Sequence, residues 1–364
     1  MKKENKIKYE EININTINLN KSNLKLRIYY FDLLRIISAF SVILIHVSAE
    51  YYYNIKIENK KWKIAFYYNG ISRFGVPMFF MISGALFLGR NISLNIIIFK
   101  YILRLFICLI IWSFIYAIYN IKLSRNNTEK IFLKFISGHF HFWYLYSTIQ
   151  LYILTPFLKE TIKSNLLENL IKISFLFTFL IPNLDKLKIY LPRILSEISA
   201  LFYSKLNFEK FKGNIFYFML GYYLKKKKRI VSKNQNLIYF MGILGFFFTT
   251  IILYHLCLKK KEKLLLFFRP ENLNILFYSI SIFVLFKEKF NNLSLNIKIV
   301  SKKISNYTFG IYLIHPLIIE KILKNFYFLY FRLFIPLKTL IVFILSLLFS
   351  IVLKHLPFLG KYIM

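Results

Sequence analysis

The chain has 364 residues, 57% of them hydrophobic and 18% charged, with a mean hydropathy of +0.51. Soluble domains run about 45–50% apolar with about 25% charged residues, so an ordinary soluble globular fold is excluded. A net charge of +35 from 51 Lys and Arg against 16 Asp and Glu would suit nucleic acid, but the lysines are spread through connections between apolar runs and no soluble basic domain exists to carry such binding.

Residues 1–29 are rich in Asn, Lys and Glu and read as a disordered cytoplasmic tail, with no short apolar stretch and small-residue site of a cleavable signal. The first apolar run, residues 31–49, is long enough to cross a bilayer as one helix. It nevertheless carries Asp32, Arg35 and His46, with Glu50 just beyond. At 100° per residue Arg35 lies about 60° and His46 about 40° to one side of Asp32, and Glu50 returns near zero. All four share one narrow stripe, with Ala39 leaving room in its middle. Charge inside a membrane helix is costly and normally faces protein or water at a working site. Arg35 and His46 are three turns apart, roughly 16 Å along the axis.

Residues 50–70 read as an aromatic, polar loop. The second span is residues 71–88, opening on Ser72-Arg73-Phe74-Gly75-Val76-Pro77, where an early Pro permits a kink. The third, 96–119, starts with Lys100 and Arg104, and a polar segment follows over 120–140. The fourth is 141–158 and the fifth, 170–182, is short. Residues 183–212 are mixed, with 194–203 an interfacial helix, a re-entrant segment or part of a span. The sixth, 215–224, ends on Lys225-Lys226-Lys227-Lys228-Arg229. The seventh to tenth are 237–258, 272–286, 307–323 and 334–353. The expected fold is thus an all-α polytopic bundle of about ten transmembrane helices over residues 30–355, with a short tail at 356–364. Ten spans put both termini in the cytoplasm, together with the Lys225–Arg229 cluster; the Lys259–Lys263 loop alone disagrees with the positive-inside bias.

His46 is the foremost general-base candidate, since imidazole titrates near neutrality. Glu50, four residues on, and Asp32 are its candidate orienting carboxylates; the alternative is an interior His bonded to a neighbour. Arg35, Arg73, Lys100 and Arg104 are cations that a phosphate-rich ligand would need, or groups reaching for headgroups. His139 and His141 with no carboxylate nearby make a poor metal site, and no metal is expected; Trp143 suits an interfacial belt. His315 needs a partner in its apolar helix, and Pro316 frees the carbonyl of residue 312; Glu320 adds a second ionisable group. Ser83-Gly84 offers a nucleophile or, more simply, close helix packing. Cys108 and Cys257 lie in apolar runs and read as buried core. No nucleophile elbow, P-loop, dinucleotide fingerprint or H-E-x-x-H occurs.

Taken together, these segments resemble the membrane-bound acyltransferase family 3, the O-acetyltransferase-like integral membrane enzymes. The resemblance rests on Arg35 followed eleven residues later by His46, with Asp32 before them, and on Gly75 to Gly84. It rests also on His141-Phe142-Trp143-Tyr144-Leu145, on Leu151 to Pro156, on Phe218 to Leu224 and on Tyr307 to Pro316, all in the family's order. It implies transfer of an acyl group, acetyl above all, from cytoplasmic acyl-CoA to a hydroxyl of a cell-surface polysaccharide or its lipid-linked precursor. On that resemblance His46 is the base and Arg35 its companion in engaging acyl-CoA as co-substrate, with no bound cofactor. The family's paired Arg after span 2 is not matched by Lys100 and Arg104. The implied setting is the plasma membrane, and the partners are the donor, the glycan and the bilayer. A carrier or flippase for polysaccharide intermediates is the alternative, although no symmetry between halves supports it.

Overall fold

The computed structural model describes residues 27–121, 133, 135–182, 213–322, 331–356 and 360, and every regular element among them is helical. At its centre is α1, Tyr29–Asn54. Then come α2, Lys60–Ser72, and α3, Gly75–Phe87. The long α4, Leu94–Tyr119, includes a π-helical stretch at Ile97–Ile102. After it lie α5, Trp143–Lys163, α6, Leu167–Phe175, and α7, Asn214–Lys226. The second half has α8, Gln235–Lys260, α9, Leu273–Lys289, and α10, Leu295–Ser305. It closes with α11, Thr308–Leu317, which runs on as a π-helical turn through Ile322, and α12, Phe331–His355.

α1 is apolar on nearly all sides, and its polar residues within the span are mostly small, with Ser38, Ser41 and Ser48 buried. Such a helix can be surrounded, and it is: α2, α3, α9, α10, α11 and α12 all pack on it. By contrast α4 and α8 turn continuous apolar faces outward, with Phe99, Phe106 and Phe114 on one and Phe240, Ile243 and Phe247 on the other. Apolar surface of that extent suits contact with acyl chains rather than water. Lengthwise and by composition, five helices can cross a membrane: α1, the Lys60–Phe87 pair, α4, α8 and α12. The other expected spans coincide with shorter or more polar helices, so the described residues supply five by this measure against the expected ten; residues 183–212 lie outside the described residues.

Two readings of the sequence are corrected. The expected loop at 50–70 contains α2. Its start is capped by Asn59, whose Oδ1 accepts from Lys61 N at 2.8 Å. Trp62, Ala65, Phe66 and Asn69 then repeat at helical spacing on one buried face. The many Tyr and Lys on the remaining faces hide that stripe. Second, the break in the 71–88 segment falls at Arg73–Phe74 rather than at Pro77, because Pro77 occupies the first turn of α3 where no helical N–H is lost.

The closest helix approach is between α3 and α7. Gly84 faces the carbonyl of Phe218, and Gly221 faces the carbonyl of Met81, each so near that a methyl group could not be added. The wall that this pair makes stands beside α1 and holds Ser83 toward its interior.

Candidate active site

A cavity of about 210 Å³ opens along α1 and is lined from both ends of the stripe, by Arg35 and by His46. Val42 lies between them on the same wall, and α3 contributes Val76, Phe79 and Ser83. α5 and the turn before it supply His141, Trp143, Tyr144, Thr148 and Tyr152, and α11 supplies Thr308 and Tyr312. Arg35 is the permanent cation on this wall; the rest is apolar, hydroxyl or imidazole. Helical periodicity puts the two α1 groups on one face, and α3, α4, α5 and α11 turn that face into a chamber.

Of the residues singled out in the sequence, Arg35, His46, His141 and Trp143 meet at this cavity. His315 stands behind it, its ring centroid 5.2 Å from that of His46 and 5.6 Å from that of His141. The two carboxylates expected to orient His46 are engaged elsewhere. Asp32, 1% exposed, accepts from Arg27 at 2.6 and 2.8 Å, from Ser305 Oγ at 2.8 Å and from Arg35 at 3.4 Å. It fastens α1 to α10 and steadies Arg35. Glu50 is exposed and pairs with Lys338 Nζ at 3.4 Å, a lysine fully buried on α12. Both carboxylates share the face of α1 but not its chamber, because Arg27 and Ser305 take up Asp32 at one end and Lys338 takes up Glu50 at the other. Arg73 gives its guanidinium to Asn69 Oδ1, and Asn69 in turn donates to Ile45 O at 3.1 Å and Ser48 Oγ at 3.0 Å. Arg73 therefore braces α2 on α1 one turn from His46. Lys100 and Arg104 lie on the exposed side of α4.

Asp32→Asn is expected to leave the Arg27, Arg35 and Ser305 donors short of an acceptor and to lower stability by roughly 1–3 kcal/mol. Thermal unfolding in detergent measures it; an unchanged midpoint would show that Asp32 does not hold α1 to α10.

The residues that sequence reasoning underrated are His139 and Glu320. His139 Nδ1 is 2.6 Å from His141 Nδ1, and its Nε2 is 3.5 Å from Glu320 Oε1. Tyr116 stacks on His139 at 4.1 Å and donates to Leu313 O at 2.9 Å. His315 Nδ1 meets Tyr312 O at 2.7 Å and Ile311 O at 3.2 Å. The carbonyl that Pro316 frees is thus taken up by the neighbouring imidazole. No set of three or more His, Cys, Asp or Glu among the described residues is arranged to hold a metal ion. What this arrangement can do is hold a long molecule along α1, with an anionic end at Arg35 and a reacting centre at His46.

A family model described as an acyltransferase domain matches residues 28–355. The comparisons found no match among curated proteins or solved structures.

Proposed function

The chain belongs to the acyltransferase domain family, and on that premise we propose that it is an integral membrane O-acyltransferase moving acetyl, or a comparably small acyl group, from acyl-CoA to a hydroxyl of a surface polysaccharide or its lipid-linked precursor. The observation that carries this reading is the single cavity shared by Arg35 and His46. A coenzyme A thioester is elongated, with phosphates at one end and the reacting carbonyl at the other. Arg35 engages the phosphates by charge-assisted hydrogen bonds. About three helical turns on, roughly 16 Å away, His46 takes the proton of the acceptor hydroxyl. The freed oxygen attacks the thioester carbonyl, the carbon–sulfur bond breaks, and the proton ends on the coenzyme A sulfur. Apolar walls of Val42, Val76 and Phe79 keep water from competing for the acyl group.

Purified protein in lipid vesicles, given acetyl-CoA labelled in the acetyl group and membranes of the native cell as acceptor source, is expected to place label on glycan. Glycan that crosses the bilayer with no label transferred would establish a carrier instead.

A further inference from the structure

The positions of protons around His46 follow from its neighbours, because several of them can only accept. A carbonyl oxygen is an acceptor, so His315 Nδ1, 2.7 Å from Tyr312 O, carries the proton and Nε2 is bare. Glu320 Oε1, also an acceptor, lies 3.5 Å from His139 Nε2, and the relay uses the tautomer that turns an Nε2–H toward it. His139 Nδ1 is then bare, and the 2.6 Å contact with His141 Nδ1 requires His141 to donate there. His141 Nε2 is therefore bare as well. Both bare Nε2 atoms are fully buried without a hydrogen-bond partner, on residues 0% and 2% exposed. An acceptor left unpaired in a buried site costs free energy unless a donor arrives. His46, 5.2 Å from His315 between ring centroids, is placed to bring one.

We propose that His315, His141, His139 and Glu320 form a reversible proton relay that holds the acceptor's proton during acyl transfer. This rests on the acyltransferase reading above. His46, protonated by the hydroxyl, gives its proton to His315 Nε2, directly or through one water. His315 keeps its Nδ1–H on the backbone and hands the proton to His141 Nε2. His141 releases its Nδ1–H to His139 Nδ1. The charge then rests on a His139 imidazolium facing the Glu320 carboxylate, instead of on a desolvated ring beside the substrate. When the carbon–sulfur bond breaks, the proton returns by the same hops and is delivered through His46 to the sulfur. The reverse passage restores every tautomer, and no proton is gained or lost overall. A carboxylate beside an imidazole orients the ring and its proton.

Two measurements test the relay. Histidine ¹⁵N spectra of the labelled protein in lipid nanodiscs are expected to show Nδ1–H tautomers for His141 and His315; an Nε2–H tautomer at either would overturn the proton placement, whatever the activity. Kinetically, Glu320→Gln keeps an acceptor for His139 while removing the charge. It is expected to lower kcat for acetyl transfer from acetyl-CoA to native membranes roughly 10–100-fold, with KM for acetyl-CoA and thermal stability unchanged. Added formate is expected to restore much of the rate in Glu320→Ala, since the Glu320 side chain is 38% exposed and its removal opens room for a small carboxylate. Wild-type kcat in Glu320→Gln, or no rescue by formate, would overturn the relay. A wild-type protein that transfers no acetyl would instead sink the acyltransferase reading.

Discussion

A His46→Ala variant is expected to insert and fold normally and to lose acyl transfer by roughly 10²–10⁴-fold, the usual contribution of a positioned general base. Folding should survive because His46 is only partly buried and, among the described residues, holds no other element by a hydrogen bond. Its ring neighbours, His315 and Phe140, keep their other contacts. Transfer should fail because no other titratable group on α1 reaches the chamber's inner end: Asp32 is committed to Arg27 and Ser305, and Glu50 to Lys338. The assay is label transferred from acetyl-CoA at saturating donor, with KM for the donor followed separately. KM should change little if, as proposed, the phosphates are engaged at Arg35. Normal transfer by His46→Ala would remove the base from the mechanism, and a large rise in donor KM alone would make His46 a binding residue.

Gly84→Val or Gly221→Val is expected to cost a large part of the protein's stability and to cut the yield of folded protein sharply. At each position an added Cβ meets main chain of the opposite helix, the Phe218 carbonyl in one case and the Met81 carbonyl in the other. Overpacking a core typically costs about 1–3 kcal/mol when side chains can shift. A backbone oxygen cannot shift without moving its helix, and both contacts occur in the same crossing. The expected cost is therefore at or above the upper end of that range, on a protein with roughly 5–15 kcal/mol of stability in all. The measure is the yield of monodisperse protein in detergent, compared with Ser83→Ala, at a residue that faces the cavity instead of the crossing. A well-folded Gly84→Val would mean that α3 and α7 do not pack as described.

How much of this was legible differed from residue to residue. Arg35 and His46 were found by periodicity alone, because both fall on one helix and a helix has one geometry. Glu50 and Asp32 passed the same test and yet lie outside the chamber, since a shared face says nothing about the helices standing against it. Lys338, 288 positions from Glu50, had no signal linking the two. The Ser83-Gly84 pair was recognisable as a packing site, whereas nothing in the sequence tied it to its reciprocal at Gly221. The helix at Lys60–Ser72 was missed because Tyr and Lys, half apolar and half polar, blur a buried stripe.

By itself the sequence determined that this is a helical membrane protein and which helix carries Arg35 and His46 on one face. Both follow from quantities summed along the chain: apolar length against bilayer thickness, and the 100° step of the helix. Tertiary structure alone decided which ionisable groups meet, placing His139 and Glu320 behind His46 and withdrawing Asp32 and Glu50 into ion pairs. The pairs of His139 with Glu320 and of Glu50 with Lys338 join residues far apart in sequence, and each depends on what a facing segment supplies, which no local pattern records.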